Sequence, residues 1–493
     1  MLLLGIDLGT SSVKVSVVDA QTQKTLASTH FPETEAPIIT TGPGMAEQDP
    51  EQWWLYVKQA ILKAHASGKY NPSDIGAIGI AYQMHGLVAI DKSGKTVRNS
   101  IIWCDSRAVP YGDKAFSAIG EEKALESMLN SPGNFTAAKL AWVKENEPET
   151  YSRIHQIMLP GDYLAYRFTG HVTTTVSAMS EGVFWNFKSN SISGEVMDFF
   201  GFENSLIPSI EPLFGPHGYI DKSIAEEIHL KPGIPVTYKA GDQPNNALSL
   251  NVMRPGEVAA TAGTSGVIYG VANALVFDKQ SRINSFAHVN HTANDPRIGV
   301  LLCINGCGIL NKSIRNLTGT RLGYEAINIE ADRVPPGSQG LNILPFGNGA
   351  ERMLGNKAPG AQVRGWDFNL HDTPHFYRAA QEGVAYAFRY GFDIMRENGM
   401  TPSVIRAGNA NMFLSNVFAQ TLVDTLNVPV ELYNADGSVG AALGAGVGAA
   451  VFSENELGSG LICLKRLEPE NHGLYNQLYS YWNDWLVNQL NNN

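Results

Sequence analysis

Two short segments carry residue types suited to phosphate chemistry. Gly9-Thr-Ser-Ser12 gathers backbone N–H groups and hydroxyls into one tight turn, a donor set that suits the oxygens of a polyphosphate. Asp7 stands just before this turn and Lys14 just after it. A carboxylate at that point makes sense as a ligand of Mg2+, directly or through water, and Lys14 adds a positive charge. The plain alternative is a turn-capping aspartate, as in any D-x-G-T sequence. Gly263-Thr264-Ser265 repeats the motif: residues 8–17 and 262–271 share five of ten positions and lie 254 apart in a chain of 493. Either two common hairpin turns coincide, or a domain is duplicated and its two hairpins face each other across a cleft. In the second case each copy opens its own half, with a boundary near residue 248.

The elements that must position these turns follow from the apolar pattern. Residues 2–6 and 13–18 read as the strands of a hairpin with a polar tip. Asp49, Pro50 and Gln52 mark a helix start with a cap, a first-position proline and a capping-box glutamine. Trp53, Trp54, Val57, Ala60, Ile61 and Ala64 follow at helical spacing and should pack on the sheet. Residues 75–81, 87–90 and 100–103 read as further strands, with Gln83-Met-His-Gly86 at a strand end, where His85 by itself is as well explained as an ordinary structural histidine. Residues 234–240 form another strand and lead to Asp242, which local sequence alone would make the N-cap of a helix around 245–250.

Composition bounds the partners. A mass of 53.4 kDa implies two or three domains and room for a deep cleft. Lys plus Arg is 36 and Asp plus Glu is 47, a net charge of −11 with no basic block, which argues against nucleic acid as the main partner. An anionic ligand must therefore be held by local features. Cys104, Cys303, Cys307 and Cys463 match neither a disulfide framework nor a paired zinc motif, so reduced cytoplasmic thiols are expected. His288 and His291, drawn together with Cys303 and Cys307, have the wrong spacing for a typical metal site. The opening residues reach a charge at Asp7, too soon for a signal peptide, and no apolar run is long enough to span a membrane.

Several separated segments, taken in order, resemble one family. Gly5-Ile-Asp-Leu-Gly-Thr-Ser-Ser-Val-Lys14 is similar to the first phosphate motif of the FGGY carbohydrate kinases, and Pro255 to Gly266 to the second. Residues 136–146 resemble the family signature around its Lys and Trp, although Asn134 stands where an aromatic, Met, Gly or Ser is expected. Glu382-Gly-Val-Ala resembles the family's E-G-x-A helix, where core packing explains most of the pattern. The resemblance runs from residue 2 to about residue 450. It implies the actin-like ATPase fold shared with hexokinase and the Hsp70 chaperones: two ribonuclease-H-like α/β domains, 1–248 and 249–493, with an active site in the interdomain cleft.

The resemblance also assigns roles. Gly241-Asp242-Gln243 sits where the family has its catalytic G-D-Q, with Pro244 departing from the expected small residue. Asp242 would be the general base that accepts the proton of a sugar hydroxyl as the bond to the γ-phosphorus forms, and with Asp7 it would hold Mg2+. Gln83, Met84 and His85 resemble the substrate loop of the family's xylulokinase branch, and Trp103 and Asp105 belong to a W-x-D-x-R segment that would shape the sugar pocket. The plain alternative there is a buried Trp and a surface ion pair. Thr10, Ser11, Ser12, Lys14, Gly263, Thr264 and Ser265 would hold the phosphates of ATP, and Gly408 and Asn409 its adenosine. Asn409 replaces a common second glycine, and a plain Gly-Asn turn before a helix is the competing reading. The implied activity is phosphorylation of the terminal hydroxyl of D-xylulose by MgATP in the cytoplasm, with no nucleic acid or membrane partner and with room for a homodimer. Kept beside it are another ketopentose, a deoxy-ketose, a polyol or gluconate as substrate, and a non-catalytic sugar or nucleotide sensor on the same fold.

Overall fold

Alternating apolar residues in β1 (Leu2–Leu8) and β2 (Val13–Asp19) build an antiparallel hairpin in which Asp7 and Lys14 are cross-strand partners. The computed structural model describes residues 1–492 of the chain. β3 (Thr25–Phe31) continues the sheet antiparallel to β2. Asp49 then starts α1 (Pro50–Ala66) by accepting from the N–H of Glu51 at 2.9 Å, a single capping bond where a reciprocal box was expected. Trp53, Trp54, Val57, Ala60, Ile61 and Ala64 are buried on its inner face against β2 and β3. Each of the larger ones contributes about 1.5–3 kcal/mol relative to exposure. β4 (Ile75–Tyr82) lies parallel to β1, and β5 (Val236–Gly241) parallel to β4, giving the order β5-β4-β1-β2-β3. Between them in sequence, α2 (Thr136–Asn146) and α3 (Val176–Glu181) cover the end of this sheet where the candidate residues gather. α4 (Asp242–Ser249) starts directly from the end of β5.

The second half repeats this plan. β6 (Val258–Ala262) and β7 (Gly266–Ala272) form an antiparallel hairpin, β8 (Asn284–Ala287) and β9 (Ile298–Ile304) extend it, and β10 (Ile405–Gly408) runs parallel to β6. β11 (Val430–Tyr433) and β12 (Cys463–Leu467) complete the order β8-β9-β7-β6-β10-β11-β12. In each sheet the first hairpin strand has its antiparallel partner on one side and a parallel strand on the other. β3-β2-β1-β4-β5 and β9-β7-β6-β10-β11 are thus one ribonuclease-H-like topology used twice. α5 (Gly308–Leu317) follows β9, and the long α6 (Thr373–Glu397) backs the second sheet, with Glu382 buried and hydrogen-bonded to Arg378 at 2.7 Å.

Two of the places where the halves meet bear on the site. α7 (Gly437–Gly448) belongs by sequence to the second half but packs on the first sheet, so closely that a Cβ on Gly5 would lie 1.8 Å from the carbonyl oxygen of Ser438. This approach explains the Gly/Ala content of the helix, since any larger face would hold it off β1. At the other place, edge strand β8 has its open backbone groups satisfied from the N-terminal half. Ser285 exchanges two bonds with the Asn130 amide, at 2.6 and 3.0 Å, and Ala287 exchanges two with Ser177 and Ser180, both at 2.9 Å. Among the described residues no helix is long and apolar enough to cross a membrane.

Candidate functional site

Asp7 lies at the C-terminal end of β1 and Asp242, the first residue of α4, directly follows β5, so two parallel strands on either side of β4 bring both carboxylates to one end of the sheet. Gly241 occupies the cap position and makes no side-chain cap bond, so Asp242 is not the side-chain cap its local sequence suggested. Its carboxylate is left for the cleft. Burial, and then the neighbouring charge of Asp7, push Asp242 up from 3.8 to about 7. Burial and the charge of Asp436 push Asp7 up to about 6, against the pull of Lys14. Asp436 caps α7 by accepting from the N–H of Ser438 at 2.9 Å, and Lys14 Nζ donates to its other oxygen at 3.2 Å. Gly437 follows, and a Cβ there would lie 2.3 Å from Asp7 Oδ2, while its carbonyl accepts from Asn245 of α4 at 2.8 Å. The starts of α4 and α7 are therefore tied together around the Asp7 carboxylate.

Two half-buried carboxylates, each costly to ionise, are a suitable donor set for a hard divalent cation. Among the described residues no cluster of three or more His, Cys, Asp and Glu side chains is arranged to hold a metal, and the His288, His291, Cys303, Cys307 combination forms none. A cation at Asp7 and Asp242 would thus complete its shell with water and phosphate oxygens, which is the habit of Mg2+. The hairpin turns carry the matching donors. Thr10 and Ser12 are half-buried and Ser11 exposed, and Gly263, Thr264 and Ser265 form the second open turn. The carbonyls of Gly263 and Thr264 accept from Gly308 and Ile309 at 2.9 and 3.2 Å, which fixes that turn on the start of α5. Gly408 and Asn409 end β10, and the Asn409 N–H donates to the Tyr433 carbonyl at 2.8 Å, leaving its side chain exposed.

At the expected sugar end, His85 has a left-handed backbone (φ 62°), a conformation uncommon outside glycine. Three bonds hold it there. Its N–H donates to Glu181 Oε1 at 3.1 Å, its carbonyl accepts from Lys139 Nζ at 2.7 Å, and its ring Nδ1 lies 3.0 Å from the Glu181 carbonyl oxygen. Burial and the nearby Lys139 charge lower His85 to about 3, so its ring is neutral, and burial lowers Lys139 to about 7. The ring packs edge-on to Phe135 at 4.7 Å and against Phe286 of β8 at 5.3 Å. Met84 is buried beside it.

Gln83 is buried too, with its amide spent inside the protein: Nε2 donates to Gln48 Oε1 at 2.9 Å and Oε1 accepts from Thr10 at 3.4 Å. Trp103 is 49% exposed and its Nε1 donates to Thr10 Oγ1 at 2.9 Å, so this network links the sugar end to the first phosphate turn. Asp105 is fully buried, accepting from Ala46 N–H at 2.6 Å and from Arg107 Nε at 2.9 and 3.0 Å. The Trp is thus open and the ion pair buried, the reverse of the plain alternative. Gln83 and Asp105 support the residues in front of them; Trp103 is exposed, His85 and Asp242 are half-buried, and Met84 is buried.

Glu181, Phe286, Arg352, Asp436 and Gly437 were missed by sequence reasoning. Glu181 is 1% exposed, its Oε2 makes no hydrogen bond among the described residues, and burial together with the Asp242 charge pushes its carboxyl well above the usual range. Only the Asp436-Gly-Ser cap carries a local signal; the others are brought in by distant chain.

A family model described as the FGGY family of carbohydrate kinases, N-terminal domain, matches residues 2–249, and its C-terminal counterpart matches residues 334–451. A xylulose kinase from Haemophilus influenzae is 28% identical over 90% of this chain and 90% of its own. The crystal structure of a xyloylose kinase from Brucella ovis superposes with a TM-score of 0.88 at 24% identity, covering 98% of each chain. A gluconate kinase from Lactobacillus acidophilus superposes with a TM-score of 0.89 at 20% identity, covering 99% of this chain and 98% of that one.

Proposed function

This chain belongs to the FGGY family of carbohydrate kinases and is an ATP-dependent sugar kinase, and we propose that its acceptor is D-xylulose, phosphorylated on its terminal hydroxyl with Asp242 as general base. The observation that carries the reading is Asp242 at the start of α4, with no side-chain capping role, beside Asp7 and held near neutral. A base poised near the working pH takes a hydroxyl proton efficiently while keeping a substantial ionised fraction. The proton passes from the hydroxyl to an Asp242 oxygen, the hydroxyl oxygen bonds to the γ-phosphorus, and ADP leaves with the electrons of the broken P–O bond. Asp7 and Asp242 would hold Mg2+ directly or through water, and it would supply neutralisation of charge on the phosphate oxygens.

The remaining residues bind and orient. The Gly9-Thr-Ser-Ser12 and Gly263-Thr-Ser265 turns offer donors to the phosphates, and Lys14, already paired with Asp436, adds a cation at the first turn. The end of β10 at Gly408 and Asn409 receives the adenosine. Trp103, Met84 and Phe286 give the sugar apolar walls and His85 a polar contact, and closure of the halves excludes water as a competing acceptor. D-xylulose is favoured by the Met84-His85 loop and by the curated relative named for that sugar. Phosphorus and carbon NMR of the product from ATP and D-xylulose tests the regiochemistry. Coupling of phosphorus to carbon 5 is expected; phosphate on carbon 1, or inorganic phosphate alone, would contradict the reading.

A further inference from the structure

The C-terminal half places near His85 a cation, Arg352, that the proposed reaction leaves unused. Glu351 is fully buried, and its carboxylate accepts from the N–H of Asn305 at 3.0 and 3.1 Å and of Gly306 at 3.2 Å. These bonds fix its loop to the end of β9 and so fix the next residue, Arg352. The Arg352 guanidinium reaches toward the N-terminal half, 6.0 Å from the Phe135 ring that packs on His85, and its charge is felt at both His85 and Cys303. Of its five N–H donors, one bond to the protein is made among the described residues, from Nη1 to the Ser281 carbonyl at 3.3 Å. A half-buried guanidinium with unspent donors in a ligand cleft calls for an acceptor from the ligand.

His85 supplies the complementary group. Its Nδ1 lies 3.0 Å from the Glu181 carbonyl oxygen, which can only accept, so Nδ1 carries the proton and Nε2 presents a lone pair. Among the described residues no group donates to Nε2. The pocket therefore offers a planar donor from one half and a fixed acceptor from the other. A planar fork matches the in-plane lone pairs of an sp2 oxygen, whereas a hydroxyl at the same place brings a proton of its own that must compete with the neighbouring hydroxyl for His85 Nε2.

We propose that Arg352 is a specificity-determining contact that donates to an sp2 oxygen of the sugar chain while His85 Nε2 accepts from a neighbouring hydroxyl, so that the pocket selects an open-chain hydroxy-carbonyl compound over the corresponding polyol. A ketose carbonyl and a sugar-acid carboxylate share this chemistry. The inference rests on the sugar-kinase reading but not on D-xylulose being the sugar.

The test is steady-state ADP release by the full chain at saturating MgATP, with D-xylulose, D-xylonate and xylitol as five-carbon acceptors. The wild type is expected to prefer one of the two carbonyl compounds to xylitol. Arg352→Gln should lose about 10- to 100-fold in kcat/KM on that compound, carried by the KM for the sugar, and far less on xylitol, so that the selectivity ratio collapses. Arg352→Lys keeps charge without the fork and should fall between the two; the comparison stands on it if the glutamine variant melts early. Equal losses on carbonyl compound and xylitol, an effect confined to the KM for ATP, or a wild-type preference for xylitol overturns the proposal. Preference for D-xylonate with the expected Arg352 effect removes D-xylulose as substrate and keeps the contact; preference for D-xylulose with an unchanged Arg352→Gln variant does the reverse.

Discussion

Replacing Asp242 by Asn should cost the enzyme its activity and make the ligand-free protein more stable. Asp242 is raised from 3.8 to about 7 by burial and by Asp7. Between those values the folded state retains a proton that the unfolded chain has released, so stability falls as pH rises through the window, and the full cost is felt above pH 7. Roughly three units at about 1.4 kcal/mol each give an upper limit of ~4 kcal/mol, reduced in practice because Asp242 is partly open to the cleft. Asparagine has the same shape and no charge to bury. Without nucleotide or Mg2+, the wild type should therefore melt progressively lower from pH 5 to pH 8. Asp242→Asn should show a shallower fall and melt a few degrees higher at pH 8, with turnover reduced by about 10²- to 10⁴-fold. Scanning calorimetry at the two pH values and an ADP-release assay read both effects. A variant that melts no higher than the wild type at pH 8, or that keeps its turnover, would refute the assignment of a half-buried base held near neutral.

Two further substitutions probe the supports of the site. Lys139→Met removes the donor to the His85 carbonyl while nearly keeping side-chain volume, and should raise the KM for the sugar about tenfold with little change in the KM for ATP. An equal change in both constants would show a general structural role. Gly437→Ala places a Cβ 2.3 Å from Asp7 Oδ2, so either Asp7 or the start of α7 must shift; kcat should fall at least ~10-fold with a destabilisation of about 1–3 kcal/mol in urea titrations, and unaltered kinetics would contradict the close packing at Asp7.

Both hairpins were legible because a Gly-Thr-Ser turn between apolar strand-like runs is a local signal, and the repeat carried the duplicated topology with it. α1 was legible for the same reason, with its cap, proline and apolar stripe all in one stretch. The position of Asp242 was not, because a glycine before it can take the cap position and leave the aspartate as the first helical residue. Trp103 and Asp105 followed neither general preference: the indole finds its partner in Thr10 of the hairpin and stays open, while the carboxylate goes inside with Arg107 and the Ala46 N–H. Glu181, Phe286 and Arg352 reach the site through β8, α3 and loops far apart in the chain, and no spacing in the sequence encodes those meetings. The return of α7 to the first sheet is likewise a tertiary event, visible beforehand only as a run too rich in Gly and Ala for an ordinary surface helix.

The most direct test of the account is ADP release from MgATP with a panel of ketoses, aldoses, polyols and gluconate beside a sugar-free control. The account predicts rapid turnover on D-xylulose, abolished in Asp242→Asn, and little on the others. Turnover greatest on a different sugar would contradict the substrate, and sugar binding without any ADP release would contradict the assignment of Asp242 as a base.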